Sequence, residues 1–160
     1  MQYVDVFEWL EHSSLAVYIR QSPLLFPAIE IVHIIGFVGL VGSAFLFDLR
    51  LLGVARKLSV VDVAKYVLPW SRRSLSIVVP SGFLLFISQA KALSNNEVFG
   101  LKLILIIIAF ANAGIFHRFT FKSAFSWSNS GTPIAAKAAA LISLLLWISV
   151  ISCGRLIAYF

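Results

Sequence analysis

Four long apolar runs dominate the chain, each bounded by clusters of polar residues. Between ionisable acids and bases, the uninterrupted stretches are residues 31–47, 74–90, 103–117 and 138–154. With their flanks, each reaches the roughly 20 residues that cross about 30 Å of hydrocarbon as an α-helix. The pattern predicts membrane spans near 24–47, 70–91, 98–118 and 135–158. No run alternates in and out with period two, which excludes a closed barrel. The expected architecture is a single all-α domain over residues 1–160, an integral membrane four-helix bundle. Before it, residues 3–20 predict an amphipathic helix. Asp5, Glu8 and His12 share one face, with Tyr3, Val6, Phe7, Leu10 and Val17 on the other. Such a helix lies flat on the outer surface or caps the bundle.

Local signals set the boundaries. Pro23 and Pro27 suit the start of the first span, where a missing N–H costs little. Pro69-Trp70 is expected to open the second, and Pro80 with Gly82 to kink its middle. Ser94-Asn95-Asn96 reads as a short outer turn and 126–133 as an inner loop. No repeat relates the two halves, which weakens a transporter built on inverted repeats.

Composition agrees with membrane insertion: 60% of residues are hydrophobic, only 12% are charged, and the mean hydropathy is +0.95. Too few charges remain to cover a water-facing surface. The opening Met1-Gln2-Tyr3-Val4-Asp5 is acidic where a removable signal peptide is basic, so the first span is expected to act as the insertion signal. The single Cys153 carries no information about redox compartment. The net charge of +6 is distributed like a topology signal and not like a nucleic-acid surface. Arg50, Arg56, Lys57, Lys65, Arg72 and Arg73 lie between the first two spans, and Arg118, Lys122 and Lys137 between the last two. Only Arg20, Lys91, Lys102 and Arg155 fall on the other side. The positive-inside rule therefore puts both basic loops in the cytoplasm and both termini outside.

The chemistry concentrates on the first span. Glu30, His33, Phe37, Val41, Ala44 and Asp48 fall within about 60° of one line along the helix. Gly36, Gly39 and Ser43 form an opposite face that lets another helix approach closely. Ionisable groups inside a membrane are expensive and normally mark a site. Glu30 and His33 have the i, i+3 spacing of a Glu-x-x-His metal motif, although a hydrogen bond that merely ties helices together has the same spacing. On the third span, Lys102 can snorkel to headgroups or pair with Glu30. Asn112 reads as inter-helix glue. His117, beside Arg118, is an interfacial histidine or a ligand. Asp48-Leu49-Arg50 closes the first span, with Asp48 placed to pair with Arg72 or Arg73.

One set of residues resembles a known group. The run His33-Ile34-Ile35-Gly36, then Gly42, then Asp48-Leu49-Arg50-Leu51-Leu52-Gly53 is similar to a family of small bacterial four-helix membrane proteins of uncharacterised function. Ile19-Arg20-Gln21-Ser22, Phe26-Pro27, Phe99-Gly100-Leu101-Lys102 and Asn112 to Phe116-His117 extend the likeness along most of the chain. That family is in turn similar to membrane haem and copper proteins, including the copper-resistance protein D group. The resemblance implies a bacterial inner membrane, haem b or copper held by histidines, a redox partner and a homo-oligomer. The Gly36/Gly39/Ser43 face, the Pro80–Gly82 kink and the limited interior of so short a chain point to an oligomer too, a trimer slightly favoured over a dimer.

Geometry restricts that implication. A bis-histidine haem needs two imidazole nitrogens about 4 Å apart across the iron. Counted from the outer ends of their helices, His33 lies roughly 15 Å deep and His117 roughly 28 Å deep. Two separate centres fit better than one, with Glu30, His12 or a neighbouring protomer completing the His33 site. The leading expectation is a membrane haem or copper protein in electron transfer, an oxidoreductase if it is an enzyme. The alternatives are a proton or ion carrier or channel lined by Glu30, His33, Lys102 and Asp48, and a purely structural subunit. No nucleophilic triad, phosphate-binding glycine loop or CxxC pair is present.

Overall fold

The computed structural model describes residues 6–121, 124, 127 and 131–159, and every regular element among them is helical. Tyr3, Asp5, Lys122 and the inner-loop positions Ser126 and 128–130 lie outside the described residues. Two short helices come first, α1 (Val6–Glu11) and α2 (Ser14–Gln21). The long helices are α3 (Leu25–Leu52), α4 (Val60–Ser88), α6 (Glu97–Ile115) and α7 (Ile134–Leu156), with the five-residue α5 (Ala90–Ser94) between α4 and α6.

The expected single N-terminal helix is thus two. Ser13 interrupts it: its hydroxyl donates to Leu10 O (2.7 Å) and accepts from Ala16 N (3.3 Å), capping α2. Serine here offers the backbone an alternative to continuing the helix. The pair caps the bundle. Glu11 accepts from Lys91 N (2.8 Å), Glu8 pairs with Lys91 (3.3 Å), and Arg20 bridges Glu11 (3.4 Å) and Ser88 O (3.0 Å).

α3 ends where Gly53 adopts a left-handed φ of 107°, with Gly53 N donating to Arg50 O (3.2 Å) and Val54 N to Leu49 O (3.0 Å). That is a Schellman-type stop, and glycine is the residue that takes it without a Cβ penalty. Ser59 caps α4, which opens well before Pro69-Trp70, so Pro69 and Pro80 both lie inside the helix. Asn96 caps α6 by accepting from Phe99 N (2.9 Å). Past Ile115 the coil widens into a π-turn, Phe116–Thr120, which the sequence pattern did not reveal.

α3 packs on α4 and α7, and α7 packs on α6, giving a row α4–α3–α7–α6 whose outer members lack comparable direct packing. The α3–α4 contact uses the expected small-residue face, with Gly36 against Ile77 and Val78, and Gly39 against Ser74. Ala136 and Ala140 of α7 are buried, and Asn112 Nδ2 of α6 donates to Ala139 O (3.0 Å), a polar tie between the two helices. Among the described residues three helical segments are long and apolar enough to cross a membrane: Leu25–Leu52, Glu97–Thr120 and Ile134–Leu156. α4 is not among them, since Asp62, Lys65, Arg72 and Arg73 interrupt its apolar character. Large apolar side chains stay exposed along the long helices, among them Ile35, Val79, Ile107 and Leu145, consistent with contact with lipid.

Candidate functional site

The four long helices converge on a cavity of about 100 Å³ near the basic end of the bundle. Asp48 enters from α3, Ser71 from α4, Asn112 from α6, His117 from the π-turn and Ser143 from α7, against walls that include Phe47, Phe116 and Trp147. Asp48 is only 6% exposed. Ser143 lies beside it in the cavity wall. The Asp48 Oδ2 is buried and finds no hydrogen-bond partner among the described residues. An unsatisfied buried carboxylate oxygen is costly, and an ionisable group inside a membrane is a candidate site. Asn112 spends its amide N–H on Ala139 O, so its side-chain oxygen stays available as an acceptor. His117 lies in an aromatic enclosure, stacked on Phe47 at 6.2 Å and edge-on to Phe116 and Phe121 at 5.3 Å each.

A second polar group lies nearer the other end. His33 Nδ1 is 3.0 Å from Ser81 Oγ. The Ser81 hydroxyl has one proton, and it goes to Ile77 O at 2.6 Å. With the hydroxyl proton on Ile77 O, Ser81 accepts from a protonated Nδ1 of His33, the tautomer in which Nε2 carries the lone pair. Gly82 makes room for the ring, because a Cβ there would come within 2.9 Å of His33 Cε1. Lys102 reaches towards Gly154 of α7, its Nζ 3.8 Å from where a Cβ would sit.

The two groups are well separated. Phe47, the residue stacked on His117, is fourteen positions after His33 on α3, about 21 Å along the axis. Between them Leu40, Val41, Ala109, Trp147 and Val150 form a buried apolar layer, with Phe37 packed against it.

Several expected pairings differ. Glu30 is exposed, and Ser81 holds the His33 ring in its place. The ion pairs among the described residues are Arg20–Glu11, Lys65–Asp62 and Lys91–Glu8, so Glu30 and Lys102 are not joined. Asp48 meets Ser143 and not Arg72 or Arg73. Gly39 lies level with Ser74 on the antiparallel α4, so those arginines fall roughly seven to eight residues, about 10–12 Å, from the depth of Asp48. His12 is exposed and hydrogen-bonded to Glu8 O (2.7 Å), away from any ligand role inside the bundle. Arg50 pins the following loop through Leu58 O (2.6 Å). Ser71, Ser81 and Ser143 were missed as partners because a serine in a membrane helix is usually packing.

A haem or copper centre can be tested against these residues. Among the described residues no three His, Cys, Asp or Glu side chains come together. A porphyrin is at least as large as the drug-sized ligands that occupy roughly 300–1,000 Å³, whereas this cavity is about 100 Å³. The Asp48 cavity by itself is too small for a haem.

Fold and site together describe an all-helical chain with three helices apolar enough to cross a membrane and ionisable groups, Asp48 buried and His33 half-buried, at two depths. The chain belongs to the DUF6644 family, a family of unknown function whose profile matches residues 6–160. That match does not tie it to the copper-resistance protein D group. No curated protein and no solved structure matches it.

Proposed function

We propose that this is a four-span protein of a bacterial inner membrane that takes up a proton or small cation at Asp48 from the cytoplasmic side. The observation that carries the reading is the buried Oδ2 of Asp48, without a partner and facing a cavity with the oxygens of Ser143, Asn112 and Ser71. Hard cations are held by such oxygen sets, and a lone proton needs only the carboxylate. The apolar layer around Leu40 and Trp147, beside the buried serines Ser43 and Ser74, separates Asp48 from the His33 level and favours a carrier over an open channel.

Four spans are supported by register. α4 runs antiparallel to α3, with Ser74 beside Gly39 and Gly82 beside His33. Whatever layer α3 crosses between those residues, α4 crosses too. By the same register Arg72 and Arg73 stand opposite Val41 and Leu40, part-way along the span, so their long exposed side chains must snorkel towards the inner side, and Arg73 sits 5.6 Å over the Trp70 ring. The nine-to-four bias of bases keeps both termini outside. A homo-oligomer, trimer favoured, belongs to this reading because α4 and α6 leave one side of the row unclosed.

The haem or copper reading survives in one form. His33 is held through Nδ1 by Ser81, an arrangement that would present Nε2 as a ligand nitrogen, as in a metal-ligating histidine. A haem lying between copies would take its ligand nitrogen from His33 or His117.

The binding test is the unfolding midpoint of purified protein in detergent, measured against sodium, lithium and pH, for the native chain and Asp48→Asn. A response to one of these that Asp48→Asn abolishes supports the reading. Identical responses in both proteins overturn it.

A further inference from the structure

The basic end of the bundle carries a second concavity, separate from the Asp48 cavity. It is a groove of about 640 Å³ where α3 ends and where α4 and α7 begin. Arg50, Arg56, Lys57, Lys65 and Lys137 line it, against the single acid Asp62. Only Lys65 has a carboxylate partner among the described residues, Asp62 at 3.7 Å, in an exposed pair. Arg50 and Arg56 are held by their Nε groups, which donate to Leu58 O (2.6 Å) and Gly53 O (3.2 Å). Each guanidinium is thereby fixed in place with terminal N–H groups left over, the geometry that suits a tetrahedral oxyanion. Trp127 and Ala124, both buried, form part of the wall.

From this arrangement we propose that the groove binds a phosphate-bearing anion at the inner face of the membrane. Four cationic groups without carboxylate partners around one concavity are unfavourable in isolation, and an anion relieves them. A basic pocket beside membrane helices on the cytoplasmic side is placed to take a lipid headgroup. A soluble phosphate offers the same chemistry. A general attraction of basic loops to anionic lipid would not depend on which bases are present; a built site does. The groove is independent of Asp48, so the two assignments stand or fall separately.

The test uses the full chain in phosphatidylcholine nanodiscs and follows the unfolding midpoint. One arm replaces part of the lipid with phosphatidylglycerol, and the other adds inorganic phosphate at constant ionic strength. Two charge-matched variants are compared. Lys57→Gln with Lys137→Gln removes two bases of the groove, both exposed and neither anchoring a loop. Arg72→Gln with Arg73→Gln removes two bases outside it. At about fivefold per base, the groove variant should bind on the order of 25-fold more weakly, with the Arg72/Arg73 variant close to the native chain. Stabilisation by phosphatidylglycerol with this selectivity supports a lipid headgroup, and the same selectivity with inorganic phosphate alone supports a soluble ligand. Equal losses in both variants, or no stabilisation by either anion, overturn the proposal.

Discussion

Gly36 should be the position where one methyl group does most harm. It is buried in the α3–α4 contact, and a Cβ there would lie 3.0 Å from Ile77 Cγ2 and 3.0 Å from Val78 Cγ2. Both neighbours are β-branched and stiff about χ1, so they yield only by moving α4. Overpacking of this kind costs about 1–3 kcal/mol. Against it stands a gain of about 0.5–1 kcal/mol from replacing glycine by alanine inside a helix. Gly42, six residues further along the same helix, has nothing within 4 Å of its would-be Cβ. Gly42→Ala should therefore stabilise by about 0.5–1 kcal/mol, with Gly36→Ala neutral to destabilising by about 2 kcal/mol. The helix-propensity gain cancels in the comparison, so the gap between the two variants isolates the packing cost. Equilibrium unfolding by dodecyl sulfate titration in mixed micelles measures it. If Gly36→Ala proved as stabilising as Gly42→Ala, α4 would not pack on α3 at this point, and the register argument for a fourth span would go with it.

Other expectations follow from the same geometry. Cysteines introduced at Asn95 and Lys57 should label from opposite sides of the membrane in cells, and labelling of both from one side would mean that α4 does not cross. Asn112→Ala should cost about 0.5–1.5 kcal/mol, read by the same titration, through the lost bond to Ala139 O. A detergent-corrected mass above that of one chain is expected when lipid is retained, and a single-chain mass would remove the oligomer from the account. An absorption spectrum of membrane-derived protein should lack a Soret band if the interior alone sets cofactor binding. A band lost in His33→Ala would instead establish the haem reading, with the porphyrin between copies.

The long apolar helices and the small-residue face of α3 were legible because both are properties of one helix read by itself. Gly36 and Gly39 announce close approach whatever the partner is. The depth separation of His33 and His117 was legible for the same reason, since it needs only the rise per residue. What could not be read was register between helices. Ser81 meets His33 and Ser143 meets Asp48 because of how α4 and α7 slide along α3, and neither serine is distinguishable beforehand from Ser76 or Ser149. The expected Asp48–Arg72 or Asp48–Arg73 pair failed on the same ground, because α4 begins at Val60 and carries those arginines past the depth of Asp48. The π-turn under His117 and the break at Ser13 are local choices of backbone that hydrophobic periodicity does not encode.

The central claim is that Asp48 loads a proton or small cation, and flux in proteoliposomes tests it most directly. Native protein and Asp48→Asn are reconstituted with a trapped pH-sensitive dye, with sodium or lithium gradients imposed in parallel, and entry is timed after a potential is applied. The account predicts ion or proton entry above empty liposomes for the native chain and entry at the empty-liposome level for Asp48→Asn. Equal entry through both proteins would contradict it.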